Sequence, residues 1–128
     1  MAVPVFRSAG SVASSTAAIN FNIVMPSGIL TNDILLLVLK THGDQAITVS
    51  GGTETWAQVA DSPQNIASQV RLTVFWARAS QNTPTGPTTS DSGNHQLGRM
   101  IAVSGCRTSG DPWDVTSGGV NTTSDTSG

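Results

Sequence analysis

A chain of 128 residues suits a single domain with a thin core. Charged residues make up 11% of it, less than half the usual share, and the formal net charge is −2 with the Lys and Arg residues scattered. That balance excludes the basic footprint of a DNA- or RNA-binding protein, and the dense apolar runs exclude a disordered chain.

The opening residues, MAVPVFRSAG, hold no basic stretch leading into an apolar core, so no signal peptide is expected and synthesis is expected in a cytoplasm. Ser8 to Thr16 is rich in Ser, Ala and Gly, and residues 1–15 are expected to form an extended or mobile end. From Ala17, apolar side chains take alternate positions at Ala17, Ile19, Phe21, Ile23 and Met25, with Asn20 and Asn22 between them. Period two predicts a half-buried strand, which Pro26-Ser27-Gly28 ends because proline lacks a donor and glycine relaxes the turn. A polar turn, Thr31-Asn32-Asp33, leads into Ile34 to Leu39, six consecutive apolar residues that predict a central strand covered on both faces. That run is also the longest apolar one and is far too short to span a bilayer.

Ile47-Thr48-Val49 predicts a short strand closed by Gly51-Gly52, and Trp56 to Ala60 a weaker one. Val70, Leu72, Val74 and Trp76 alternate with Arg71, Thr73, Phe75 and Ala77, which predicts the longest strand with Trp76 on its apolar face. Gln81 to Asn94 reads as a loop with a short edge strand near Thr88. Leu97 to Ser104 is a further strand, with Leu97, Ile101 and Val103 on one face and Met100 and Ala102 on the other. The lone cysteine, Cys106, excludes an internal disulfide and reads as a small residue in a strand. Thr116 to Gly128 is low in apolar residues and is expected to be a second extended or mobile end. Six or seven strands at roughly ten-residue spacing predict a single all-β domain, an antiparallel β-sandwich of jelly-roll type.

Chemistry has few carriers. The one glutamate, Glu54, sits in a glycine-flanked turn, and Asp33, Asp44, Asp61 and Asp91 read as turn formers, so no carboxylate pair for glycoside hydrolysis is expected. His42 lies near Asp44 and His95 near Asp91, but no activated nucleophile accompanies either pair, and two isolated histidines make a poor zinc site. Asp111-Pro112-Trp113-Asp114 is the best candidate metal site, with Asp111 and Asp114 as the two charged donors for calcium; a proline turn anchored by Trp113 explains it more simply. Trp56 and Trp76 admit a sugar-stacking reading beside the commoner one of core or interface. Asn121-Thr122-Thr123 matches a glycosylation acceptor by letter only. The expectation is therefore a protein with no catalytic residues, no cofactor and no metal. Its core and interface are expected to use Phe21, Ile34, Leu36, Trp56, Val74, Trp76, Ile101 and Trp113.

Four segments in order carry a resemblance: Pro26-Ser27-Gly28-Ile29 with Asp33 to Val38; Thr55-Trp56; Val74 to Ala79; and Ile101 to Gly105 leading into Asp111-Pro112. Together they resemble a family of β-sandwich proteins encoded in phage and prophage genomes, over most of the chain from Pro26 to Pro112. Asn32, Thr55 and Ser104 depart from the family pattern, which has glycine, glycine and an aromatic there. The resemblance implies a non-enzymatic structural protein of the bacteriophage virion. A capsid decoration or cement protein binding other coat subunits comes first, and a tail or fibre component with an adhesin role on a host surface glycan is the alternative. It also implies a location in the virion. Sparse charge, which lets neighbours cover the surface without burying ions, together with the short strand count, predicts a homo-oligomer, a trimer or dimer.

Overall fold

The computed structural model describes residues 3–16, 20–66 and 68–113, and every regular element among them is a strand. In chain order these are β1 (Val5–Ala9), β2 (Ala13–Ser15), β3 (Ile34–His42), β4 (Val49–Ser50), β5 (Ala57–Gln58), β6 (Gln64–Ile66), β7 (Val70–Arg78), β8 (Thr88–Thr89) and β9 (Gln96–Ser104). The protein is all-β and antiparallel, as its alternating patterns imply.

Three strands of nine residues form the centre of a seven-stranded sheet in the order β9-β3-β7. β1 and β2 share the far edge of β9, and β5 and β6 share the far edge of β7. The register aligns side chains in rows across the sheet. Leu35 stands beside Ala77 and Ala102, Leu37 beside Phe75 and Met100, and Leu39 beside Thr73 and Gly98. Leu35, Leu37, Leu39, Met100 and Ala102 are all 0% exposed, so these rows are the inner face. At roughly 25 cal/mol per Å² of apolar surface removed from water, each buried leucine contributes about 2 kcal/mol.

A short second layer covers that face. Asn22 bridges Thr88, and Val49 pairs with Thr89. Ile23 N donates to Pro87 O, Thr89 N to Phe21 O, and Ser90 N to Thr48 O. Ile23, Ile29 and Ile47 are buried in the core cluster with the leucines of β3, while Phe21, Met25, Val49 and Trp56 pack against it. The close approach depends on a missing side chain. A Cβ at Gly98 would stand 2.6 Å from Leu39 Cδ2 and 3.0 Å from Ile23 Cδ1.

Several expectations need correction. The strand foreseen from Ala17 to Met25 keeps its alternating burial from Phe21 to Met25, but its only ladder contact is the bridge at Asn22; Ala17 and Ile19 lie outside the described residues. Residues 5–15, expected to be an extended or mobile end, contain β1 and β2, both paired with β9. Apart from Val5 and Phe6 their side chains are small or polar, as suits an edge, and the backbone ladder, which no side-chain pattern encodes, holds them. The second expected end, from Thr116, lies outside the described residues. Thr73, Phe75 and Ala77 face the core, so Trp76 and its partners Val70, Leu72 and Val74 face outward. β7 is apolar on both faces, and only its register with β3 decides between them. Ile34 to Leu39 is central as expected, but its cover is uneven, since Leu36 and Val38 are half-buried. Cys106 lies past the end of β9, not within a strand.

Two substitutions test this layout. Leu37→Ala should lower the unfolding free energy by about 2–5 kcal/mol in urea titrations, whereas Leu72→Ala, at a side chain already 40% exposed, should lower it by less than about 1 kcal/mol. Gly10→Ala should also destabilise, by about 1–3 kcal/mol or more, because its Cβ would fall 2.0 Å from the backbone oxygen of Val24 and no rotamer can relieve that clash.

Candidate functional site

Strand alternation places Leu36, Val38 and Lys40 of β3 on the outer face with Leu72, Val74, Trp76 and Arg78 of β7 and Leu97, Arg99 and Ile101 of β9. The register makes them neighbours: Leu36 between Trp76 and Ile101, Val38 between Val74 and Arg99, Lys40 between Leu72 and Leu97. Leu36, Val38, Val74, Trp76 and Ile101 are half-buried, and Leu72 and Leu97 are exposed. Five of the eight residues expected in the core or interface fall here or beside it, namely Leu36, Val74, Trp76, Ile101 and Trp113. Ile34 alone among the eight is fully buried, at 2% exposure. No aspartate or glutamate occurs in β3, β7 or β9, so Lys40, Arg78 and Arg99 are the charges this face carries from its long strands.

The chain after β9 closes one end of the face. Gly105 turns it at φ 77°, where a Cβ would fall 2.4 Å from Val3 O. Arg78 donates to Gly110 O at 2.8 Å and to Arg107 O, and Trp113 meets Trp76 edge-on with ring centroids 5.2 Å apart. The Arg78 guanidinium also lies 6.0 Å from the Trp76 ring centroid. Trp76 and Trp113 thus pack on each other, and Trp56 packs on the core, so the three rings serve packing. Burial raises the pKa of the nearby Cys106 thiol; Arg78 opposes that shift and Asp33 adds to it.

The carboxylates hold the fold together. Glu54 is buried and accepts hydrogen bonds from Ser80 N at 2.9 Å and Ser80 Oγ at 3.1 Å, fastening one loop to the end of β7. It borders a cavity of about 280 Å³ shared with Thr55, Trp76 and Arg78. Asp33, 3% exposed, accepts from Leu30 N and pairs with Arg7, which a bulge in β1 between Phe6 and Ser8 releases from the ladder. Asp91 is a turn former as expected, accepting from Gly93 N at 2.6 Å, while Asp44 pairs with Arg71 at 2.8 Å. Among the described residues no group of three or more His, Cys, Asp or Glu could hold a metal ion. Asp111 is exposed, and Asp114 and Asn121 lie outside the described residues.

The opposite end of the sheet brings together two histidines that the sequence reading left isolated. Thr41 pairs with Gln96, so His42 and His95 extend the same two strands at one end. His42 N donates to His95 O at 2.9 Å, and the rings lie 6.1 Å apart. Asn94 sits between them. Its Oδ1 accepts from His95 N at 2.7 Å and lies 2.6 Å from His95 Nδ1, while its Nδ2 lies 3.2 Å from His42 Nδ1. An amide oxygen only accepts and an amide nitrogen only donates, so this network assigns Nδ1–H to His95 and a bare Nδ1 to His42. A cavity of about 550 Å³ opens beside the pair, lined by Ser14, Thr16, Lys40, His42, His95 and Leu97 among others. The available signal was positional, a histidine at the end of each of two strands, and it became a site only through their pairing.

Comparisons of the chain with protein-family models, with curated proteins and with solved structures find no match in any of the three. The resemblance noted from sequence therefore rests on its four motifs alone. Asn32 adopts φ 73°, a left-handed conformation that asparagine tolerates better than most residues.

Removing the amide clamp gives a direct check on the tautomers. Long-range proton–nitrogen spectra of the neutral rings should show His95 protonated at Nδ1 and His42 at Nε2. In Asn94→Ala the His95 signal should move toward the Nε2–H form.

Proposed function

We propose that this protein is a non-enzymatic structural component of a bacteriophage virion, a capsid decoration or cement protein that docks on other coat subunits. The observation that carries the reading is the outer sheet face, where Leu36, Val38, Val74 and Ile101 remain half-exposed and Leu72 exposed. A sheet face this apolar gains free energy when a neighbour covers it, at roughly 25 cal/mol per Å² before the cost of association. Lys40, Arg78 and Arg99 give the face positive charge without any acidic residue from the long strands, so the complementary surface is apolar with an acidic rim.

That charge pattern also bears on self-association. Two copies stacked face to face would oppose like charges, so a dimer or trimer forms through another surface. The edge strand β1, with Phe6 at 64% and Val5 at 57% exposure, suits strand addition between copies. The four sequence motifs support the same family of virion proteins with a jelly-roll-like sandwich. The adhesin alternative loses its tryptophan platform, since Trp76 is engaged by Trp113 and Arg78.

The test is co-sedimentation with capsids of the phage that encodes the chain, stripped of their decoration. The protein should pellet with the shells, and Leu72→Glu, which places an acid on the docking face at an exposed position, should weaken binding by about tenfold. Light scattering after size exclusion at micromolar concentration should show a dimer or trimer. A monomer that also stays in the supernatant would sink the assembly reading.

A further inference from the structure

We propose that the cavity where β2, β3 and β9 meet binds a small polyhydroxy carboxylate, a sugar acid, in an orientation set by the Asn94-clamped histidine pair. The lining is one-sided in charge. Lys40 enters it from the outer face, and the two ion pairs among the described residues, Arg7–Asp33 and Arg71–Asp44, leave its ammonium unused. Among the described residues no carboxylate lines the cavity, whose polar groups are otherwise hydroxyls, amides and imidazoles. An ammonium and hydroxyls collected in one recess, with no acid to neutralise them, favour an anionic ligand.

The two histidines narrow its class. With both Nδ1 atoms engaged at Asn94, the ring nitrogens left for a ligand are the Nε2 atoms. The same network makes them unlike: His42 presents Nε2–H, a donor, and His95 presents a bare Nε2, an acceptor. A donor near Lys40 suits a carboxylate oxygen. An acceptor on the neighbouring ring, whose centroid lies 6.1 Å away, suits a ligand hydroxyl and would repel a second anionic oxygen. A group carrying a carboxylate and neighbouring hydroxyls meets both requirements. Inorganic phosphate keeps a P–OH near neutral pH and can meet both nitrogens, but it has no C–H face to lay against Leu97 and the Lys40 stem, so it should hold the site less well. A transition metal is also poorly served, since among the described residues no third His, Cys, Asp or Glu joins the pair. Leu97, 43% exposed, and the Lys40 stem supply an apolar wall for the C–H face of a sugar ring. The volume, about 550 Å³, lies within the usual range of small-molecule sites.

The site shares Lys40 and Leu97 with the proposed docking face, but its test uses the free chain and small molecules, so its outcome does not depend on assembly. The experiment is a nuclear magnetic resonance titration of the nitrogen-labelled full chain with glucuronate, glucose and inorganic phosphate. Glucuronate should shift the amides of Ser14, Lys40, His95 and Leu97 with saturation on the order of millimolar, and glucose and phosphate should not. Lys40→Gln should weaken glucuronate binding by about tenfold with an otherwise unchanged spectrum, and Lys40→Arg should retain most of it. No saturable shift with glucuronate would overturn the proposal. So would an equal response to glucose, which would mean a neutral hydroxyl site, or to phosphate, which would mean simple charge attraction. Undiminished binding in Lys40→Gln would overturn it as well.

Discussion

The placement of β3 between β7 and β9 is the constraint on which the other features depend. Its nine residues are hydrogen-bonded along both edges, and its leucines at 35, 37 and 39 are fully removed from water. Those side chains meet Phe75 on one side and Met100 on the other, so a shift of either neighbour by one residue would turn its core set outward. Asp33 secures the start of the strand by bonding Leu30 N and pairing with Arg7, which ties the first strand of the sheet to its third.

The second layer is much smaller than the first. A segment at 21–25 and two strands of two residues suffice to bury the inner face, because Gly98 and the alanines at 77 and 102 let the layers approach closely. Among the described residues, nothing comparable covers the outer face over most of its length. The turn at Gly105 brings Trp113 over Trp76 at one end, and the rest of the face keeps half-exposed aliphatic side chains with basic residues among them. A protein whose work is to be covered by others would carry its apolar surface there.

The two ends of the sheet differ in chemistry for a topological reason. At one end the Trp76, Arg78 and Trp113 packing seals the surface. At the other, β2 pairs with Gln96 to Gly98 of β9, and the last residue of β3 and the loop entering β9 bring two histidines and an asparagine side by side. Strand ends carry side chains free of the ladder's pleat, so polar groups collect there without disturbing the core.

Much of this was legible in the sequence, and the remainder failed for identifiable reasons. The unbroken run Ile34 to Leu39 announced a central strand, because six apolar residues in succession suit a strand covered on both faces, although Leu36 and Val38 on the outer face proved only half-buried. Alternation located β7 and β9 and the buried positions of 21–25. It could not say which face of β7 is the core, since Trp76 and Phe75 are both apolar and the choice belongs to the register with β3. β1, β2 and β6 were invisible, because edge strands held by backbone hydrogen bonds need no apolar period. The His42–Asn94–His95 cluster was invisible too: its members are 52 and 1 residues apart, and only antiparallel pairing of Thr41 with Gln96 closes that distance. Local pattern thus determined which segments are strands and which side chains are apolar, while the tertiary structure decided partners, faces and neighbours, because those depend on pairing between residues far apart in the chain.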